Sequence, residues 1–172
     1  MPIHELIDMK KIRKALVYLL CVIVTLGVQN MLLSRLSFWG VHALVMPSLV
    51  VAIGAFEGGL WGAAFGLVTG LMCDMSTLDS TATYMVLYAL LGFAAGFLTE
   101  FFINRRFFSY MLLTLAAGLI TAMCQIIPLW IFHSTPLGTL LPTLLLQNIW
   151  SLPFAVPVYY AIKSISAKRR EK

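Results

Sequence analysis

The most constraining feature of this sequence is that its charged residues are concentrated between long apolar segments. Charged side chains make up 11% of the 172 residues, and 60% of the residues are hydrophobic. Soluble domains carry roughly a quarter charged residues and could not bury so much apolar surface. A disordered chain would be richer in charge and poorer in aliphatic residues. The composition therefore predicts an integral membrane protein with a single membrane domain.

Six apolar segments are predicted to be membrane spans. They cover approximately residues 15–33, 38–56, 60–73, 82–102, 107–132 and 137–162. The first follows a basic N-terminus, but it is too long for the apolar core of a signal peptide and no A-x-A cleavage pattern follows it. We therefore interpret it as a retained span, and we predict an all-α bundle of six transmembrane helices over residues 1–172.

The distribution of basic residues favours six spans over five. With six spans and a cytoplasmic N-terminus, eleven of the twelve Lys and Arg residues are cytoplasmic, and only Arg35 lies outside. With five spans, Arg105, Arg106 and the basic C-terminal tail would move outside, against the positive-inside rule. We therefore predict that both termini are cytoplasmic. The same bias accounts for the net charge of +5 without nucleic-acid binding.

The second and third spans are the least regular part of this topology. Span two is predicted to contain Pro47 in its interior. Span three has only 14 residues, which at about 1.5 Å per residue give about 21 Å, less than the roughly 30 Å hydrocarbon core. We therefore expect that neighbouring helices shield the outer end of span three or that the bilayer thins there.

Glycines recur every four residues in span three, and span four has a shorter run with the same spacing. The first run is Gly58, Gly62, Gly66 and Gly70, and the second is Gly92 and Gly96. A spacing of four keeps the glycines near one helix face, where another backbone can approach closely. In lipid this close packing drives helix association. We expect packing within one bundle, and the alternative is an interface for another membrane protein.

Asp74 lies four residues after Gly70, at the predicted end of span three and the start of a polar loop over residues 74–81. A carboxylate costs about 2.5 to 3.5 kcal/mol at the centre of a membrane helix and much less at the interface. Two interpretations remain open for it. One is a solvated helix end. The other is a packing or partner-binding role in which the carboxylate accepts hydrogen bonds from a neighbouring helix.

The sequence contains no pattern that indicates catalysis. A Ser-His-Asp set, an HExxH motif and a phosphate-binding loop are all missing. The three cysteines have neither metal-ligand spacing nor a disulfide pattern. We predict that the protein is not an enzyme and that it has no cofactor and no metal site.

The segment from Gly66 to Asp74, GLVTGLMCD, resembles the GFxxGLxxD signature of the bacterial rod shape-determining protein MreD family. Further similarities are Pro47 in span two, the LLGFAAGF run of span four, and Asn148 five residues before Pro153 in span six. The length and the six-span topology also match the family. Ala82 departs from it, because the family often has glycine at the start of span four.

The resemblance implies a non-enzymatic, multi-pass scaffold of the bacterial plasma membrane. MreD-like proteins work with an MreC-like protein and, through the complex, with MreB, RodA and a class B penicillin-binding protein. Together these maintain cell shape by organising sidewall peptidoglycan synthesis. Asp74, Asn148, Pro47 and Pro153 are the family-motif residues in this chain.

The MreD family is also similar in architecture to the substrate-binding subunits of energy-coupling-factor vitamin transporters, which supply the alternative function. Such a subunit needs an outward-facing pocket with convergent polar groups. The predicted outer loops are short, and the alanine-xxx-alanine stripe typical of the first span in those subunits is not seen after Ala15. These features favour the scaffold.

Overall fold

The computed structural model describes residues 9–33, 44–76, 83–101, 107–133 and 137–167, and all regular structure in these ranges is helical. The six α-helices are α1 (Met9–Val28), α2 (Met46–Glu57), α3 (Gly59–Ser76), α4 (Thr83–Phe101), α5 (Phe107–His133) and α6 (Leu137–Ala167). A π-helical turn, Gln29–Leu33, continues α1. The all-α prediction is therefore confirmed for the described residues.

Two helical stretches within the described residues are long and apolar enough to cross a membrane. They are Thr83–Phe101, which is the whole of α4, and Phe107–Gln125 in α5. Two further apolar helices are shorter, at Ala15–Met31 and Met46–Glu57. Length and composition are therefore sufficient for a membrane span in α4 and α5.

The short helix α2 lies at the centre of the molecule. All ten of its residues from Met46 to Ala55 are buried, and α2 contacts each of the other five helices. The surrounding helices turn one side inward and the other outward. In α1, for example, Tyr18 and Val22 are fully buried while Leu20 is 63% exposed. A helix that is apolar all round must be covered on every side, and α2 is.

Hydrogen bonds between side chains and backbone tie the surrounding helices to α2. The Tyr18 hydroxyl of α1 donates to the carboxylate of Glu57 at the end of α2. The buried Tyr110 hydroxyl of α5 lies 3.1 Å from the Ser48 carbonyl of α2 and 3.2 Å from the Ala155 carbonyl of α6. These contacts position α1, α5 and α6 around the central helix.

Span three was predicted to be the short one, but the structure shows that α2 is shorter than α3. Leu44 and Val45 are not helical, so no single helix covers residues 38–56, and residues 38–43 lie outside the described ranges. Proline lacks the N–H that a helix interior needs, so Pro47 lies in the first turn of α2 and not within a longer helix. The 12 residues of α2 span about 18 Å, whereas the 18 residues of α3 span about 27 Å.

Candidate functional site

The backbones of α3 and α4 are in direct contact along an antiparallel pair. A Cβ atom at Gly62 would lie 2.8 Å from the carbonyl carbon of Gly92, one at Gly66 would lie 2.9 Å from the Cα of Ala89, and one at Gly70 would lie 2.7 Å from the backbone nitrogen of Met85. Real Cβ atoms essentially never come within 3.0 Å of such atoms. Any side chain at these three positions would therefore force the two helices apart.

The central helix α2 joins this contact through Gly54. A Cβ atom at Gly54 would lie 3.3 Å from the carbonyl carbon of Gly92 and 3.2 Å from the nitrogen of Gly96. The glycines of three helices therefore meet around Gly92, which also faces Gly62. The sequence analysis did not single out Gly54, although it lies four residues before Gly58 and continues the same spacing.

Gly58 has a different role from the other glycines of the run. It lies between α2 and α3 with φ of +99°, and a Cβ atom there would meet nothing within 4 Å. Its N–H donates to the Gly54 carbonyl at 2.9 Å, and its carbonyl accepts from the Gly62 N–H at 3.0 Å. A positive φ strains any residue with a Cβ, so glycine is required here for the turn. Gly58 thus lies in the turn between α2 and α3 and not within a helix, but its backbone still takes part in the close packing, since a Cβ atom at Gly96 of α4 would lie 2.5 Å from the Gly58 carbonyl carbon.

Asp74 caps the N-terminus of α4 from the last turn of α3. Its Oδ1 accepts a hydrogen bond from the Tyr84 N–H at 3.2 Å, and its Oδ2 accepts one from the Met85 N–H at 2.9 Å. These N–H groups belong to the first turn of α4, where no helical carbonyl is available to them. The negative charge also faces the positive end of the α4 dipole. Asp74 thus lies in the last turn of α3, which continues to Ser76, beyond the predicted end of the span at residue 73. Of its two interpretations, the second describes this arrangement, because the carboxylate accepts hydrogen bonds from a neighbouring helix.

The position of Asp74 continues the glycine spacing. Gly70 lies four residues earlier on the same face of α3, and its lack of a side chain lets the start of α4 come close. Asp74 then reaches the two N–H groups of α4 directly. The two glycines of the signature and its aspartate therefore join the same two helices.

A second interhelical cap lies at the N-terminus of α2. The Oε1 atom of Gln29, in the π-helical turn after α1, accepts hydrogen bonds from the N–H groups of Val45 at 3.1 Å and Met46 at 3.2 Å. Val45 itself provides no side-chain cap. The Leu44 N–H donates to Ser151 Oγ of α6 at 2.8 Å. An amide in a helix bundle is expected to hydrogen-bond across helices, but no local spacing connects Gln29 with its partners, which lie 16 and 17 positions later.

Asn148 and Pro153 are not part of the α3–α4 contact. Both lie in α6, which packs on α5 and α2. Asn148 is buried against Gly118 of α5, where a Cβ atom would lie 3.1 Å from the Asn148 Cγ. Pro153 is exposed inside the helix and removes the regular hydrogen bond to the carbonyl of Ile149. The family-motif residues thus do not form one site. Asp74 lies at the α3–α4 contact and Asn148 at the α5–α6 contact, whereas Pro47 is in the first turn of α2 and Pro153 is exposed on α6.

The described residues hold few groups suited to chemistry. In the described ranges, no three His, Cys, Asp or Glu side chains lie close enough to hold a metal ion. The cysteine thiols at positions 21, 73 and 124 are free of disulfides.

Comparison with protein-family models, with curated proteins and with solved structures finds no match for this chain.

The outward side of the α3–α4 hairpin is apolar and aromatic. Phe93 stacks on Phe97, and Phe97 packs on Phe101 with ring centroids 4.7 Å apart, all three at least partly exposed. On α3, Leu60 and Met75 are each more than four-fifths exposed. A rigid hairpin with such an outer side is suited to contact with lipid or with another helix.

Proposed function

We propose that the protein is a non-enzymatic, multi-pass scaffold of the bacterial plasma membrane, as its resemblance to the MreD family implies. In this proposal six helices cross the membrane, with both termini cytoplasmic. The protein acts with an MreC-like protein and, through the complex, with MreB, RodA and a class B penicillin-binding protein. Its task is to hold these partners together during sidewall peptidoglycan synthesis.

The observation that carries the proposal is the way the signature segment is used. Gly66 and Gly70 bring α3 onto α4, and Asp74 caps α4, so the residues that resemble the family signature all serve one rigid hairpin. The corresponding motif of an enzyme or transporter would be expected to present polar groups to a reactant or substrate. A motif whose residues all serve helix packing is consistent with a scaffold, which binds its partners through its outer surface.

The outward side chains support a location in lipid. Large apolar residues are exposed on several helices, including Leu16 and Leu20 of α1, Leu90 of α4, and Phe108 and Leu112 of α5. Water would not cover these faces favourably, whereas lipid would. The apolar lengths of α4 and α5 agree with this location.

The alternative is a substrate-binding subunit of an energy-coupling-factor vitamin transporter. It requires polar groups that are free to converge on a substrate. Asp74 and Gln29 are instead engaged by backbone N–H groups of α4 and α2. That engagement favours the scaffold over the transporter.

The test of the proposal is affinity purification of the full chain from bacterial membranes, followed by mass spectrometry of what is bound. The proposal expects an MreC-like protein or a RodA–synthase pair with the wild type. Asp74→Ala should reduce the recovery of these partners, and Glu100→Ala, which removes an exposed carboxylate from α4, should not. An ATPase with a coupling subunit and a bound vitamin would replace the scaffold with the transporter. Recovery of neither set would contradict the proposal.

The six-span topology has its own test, in a chain whose three cysteines are replaced by alanine. A single cysteine at Ser80 should react with a membrane-impermeant reagent applied from outside, because residue 80 lies in a predicted outer loop. A cysteine at Asn104, beside Arg105, should react only after the membrane is opened. The opposite labelling would contradict the proposed orientation.

A further inference from the structure

The contact between α5 and α6 contains buried polar atoms that the described residues leave without hydrogen-bond partners. Asn148 Nδ2 of α6 and Thr114 Oγ1 of α5 are both in this state, and their residues are 8% and 5% exposed. A buried donor or hydroxyl without a partner is strongly unfavourable, and native proteins leave few of them. Such atoms indicate a bound group that supplies the missing hydrogen bonds.

The Asn148 amide points at α5. It fills the space that Gly118 leaves by lacking a side chain, since a Cβ atom at Gly118 would lie 3.1 Å from Asn148 Cγ and 3.5 Å from Nδ2. The helical N–H and carbonyl groups of α5 at this level bond to one another. A helical carbonyl can accept a second hydrogen bond, but Asn148 Nδ2 makes none to the α5 backbone in front of it.

Thr114 lies one turn before Gly118, on the same face of α5. Other buried threonines donate to the carbonyl four residues earlier in their helix, namely Thr69, Thr99 and Thr121. Thr114 does not. The neighbouring Tyr110 hydroxyl donates to the carbonyls of Ser48 and Ala155, and although it lies near the Thr114 hydroxyl, the two oxygens do not have the geometry of a hydrogen bond. The Thr114 hydroxyl therefore differs from its counterparts in the same bundle.

A polar residue about one turn further along α6 is already engaged. Ser151 lies three residues after Asn148, where it donates to the Gln147 carbonyl at 2.7 Å and accepts from the Leu44 N–H at 2.8 Å. It has no second proton to share. The unsatisfied atoms thus lie beside a satisfied polar contact, on the facing sides of α5 and α6.

We propose that a water molecule is bound between α5 and α6, where it accepts a hydrogen bond from Asn148 Nδ2 and exchanges one with the Thr114 hydroxyl. Water fits because both groups are uncharged and because a buried water typically takes two to four hydrogen bonds from groups that otherwise lack partners. A charged ligand would find no opposite charge in this pair. The water site does not depend on the proposed function.

The test is thermal unfolding of the full chain in detergent, with the variants Asn148→Leu, Thr114→Val and the two combined. If both groups bind one water, each single variant lowers Tm by about 3 °C or more, and the double variant lowers it by less than the sum. Thr121→Val is the matched control. Its hydroxyl bonds to its own helix, so its effect should be smaller and should add to that of Asn148→Leu.

Several results would overturn the proposed water site. If the contact is dry, Asn148→Leu and Thr114→Val remove unsatisfied groups and raise Tm, which overturns the proposal. Additive losses from the two variants overturn the shared water. Should Asn148→Leu fail to fold, Thr114→Val against Thr121→Val still decides. An experimental map that resolves ordered waters should show one about 2.7 to 3.2 Å from Asn148 Nδ2, and a map without it contradicts the site.

Discussion

Two helices of this protein are capped by a side chain from the preceding helix, and the two caps use different chemical groups. Gln29 and Asp74 each lie at the end of one helix, and each accepts hydrogen bonds from two backbone N–H groups at the start of the next. The first uses a neutral amide and the second a carboxylate. At the α2 start, Met46 is completely buried, whereas at the α4 start Thr83 is exposed and Tyr84 is half-buried.

The difference shows how burial selects the capping group. A carboxylate gains more than an amide from the positive end of a helix, but it loses its hydration when it is enclosed. Thr83 is exposed and Tyr84 is partly exposed at the start of α4, so the charge of Asp74 is not enclosed while it caps. At the start of α2 the capped residues Val45 and Met46 are buried, and the neutral oxygen of Gln29, which is itself partly exposed, provides the same hydrogen bonds without a charge there.

The largest expected effect comes from breaking the contact that holds Asp74 at its cap. Gly66→Leu places a side chain where the backbone of Ala89 lies, so we expect a loss of about 3 kcal/mol or more of unfolding free energy, or failure of the hairpin to form. Thermal unfolding in detergent measures this loss.

Gly27→Ala is the matched control, because a Cβ atom there meets nothing within 4 Å. In a helix such a change gains up to about 1 kcal/mol from helix propensity. Equal behaviour of the two variants would contradict backbone contact between α3 and α4.

These contacts also show how far the sequence could be interpreted. The spacing of Gly62, Gly66 and Gly70 is periodic along one helix, so the packing face was visible before the structure. The partners of the Gln29 amide were not, because a side chain that bonds residues in another helix follows no local period. The bounds of α2 were misjudged for a similar reason. Apolar composition extends back to residue 38, but the missing N–H of Pro47 fixes the first turn at Met46.

The second prediction exchanges the chemistry of the buried cap. Gln29→Glu keeps the capping oxygen but introduces a charge beside the buried start of α2, and we expect a loss of about 2 kcal/mol because desolvation exceeds the gain from the helix dipole. Gln29→Leu removes the cap without adding charge and should cost about 1 to 2 kcal/mol. If Gln29→Glu is as stable as the wild type, burial does not determine the capping group.

The third prediction removes the exposed cap. Asp74→Ala leaves the Tyr84 and Met85 N–H groups without acceptors, and we expect a loss of about 1 to 2 kcal/mol. Hydrogen–deuterium exchange should accelerate at the first turn of α4 and stay unchanged at Val45 and Met46. Glu100→Ala is the control for the loss of a carboxylate. Slow exchange at Tyr84 and Met85 in the variant would show that Asp74 does not cap α4.

The smallest expected effect isolates the charge of Asp74 from its hydrogen bonds. Asp74→Asn keeps one acceptor oxygen but loses the interaction with the α4 dipole, so we expect a loss of about 0.3 to 1 kcal/mol, less than for Asp74→Ala. The difference between wild type and Asp74→Asn should shrink as salt is added, because ions screen a charge that water reaches. A difference that does not change with salt would mean that the carboxylate is as enclosed as the start of α2, and burial would then not explain why the two caps differ in charge.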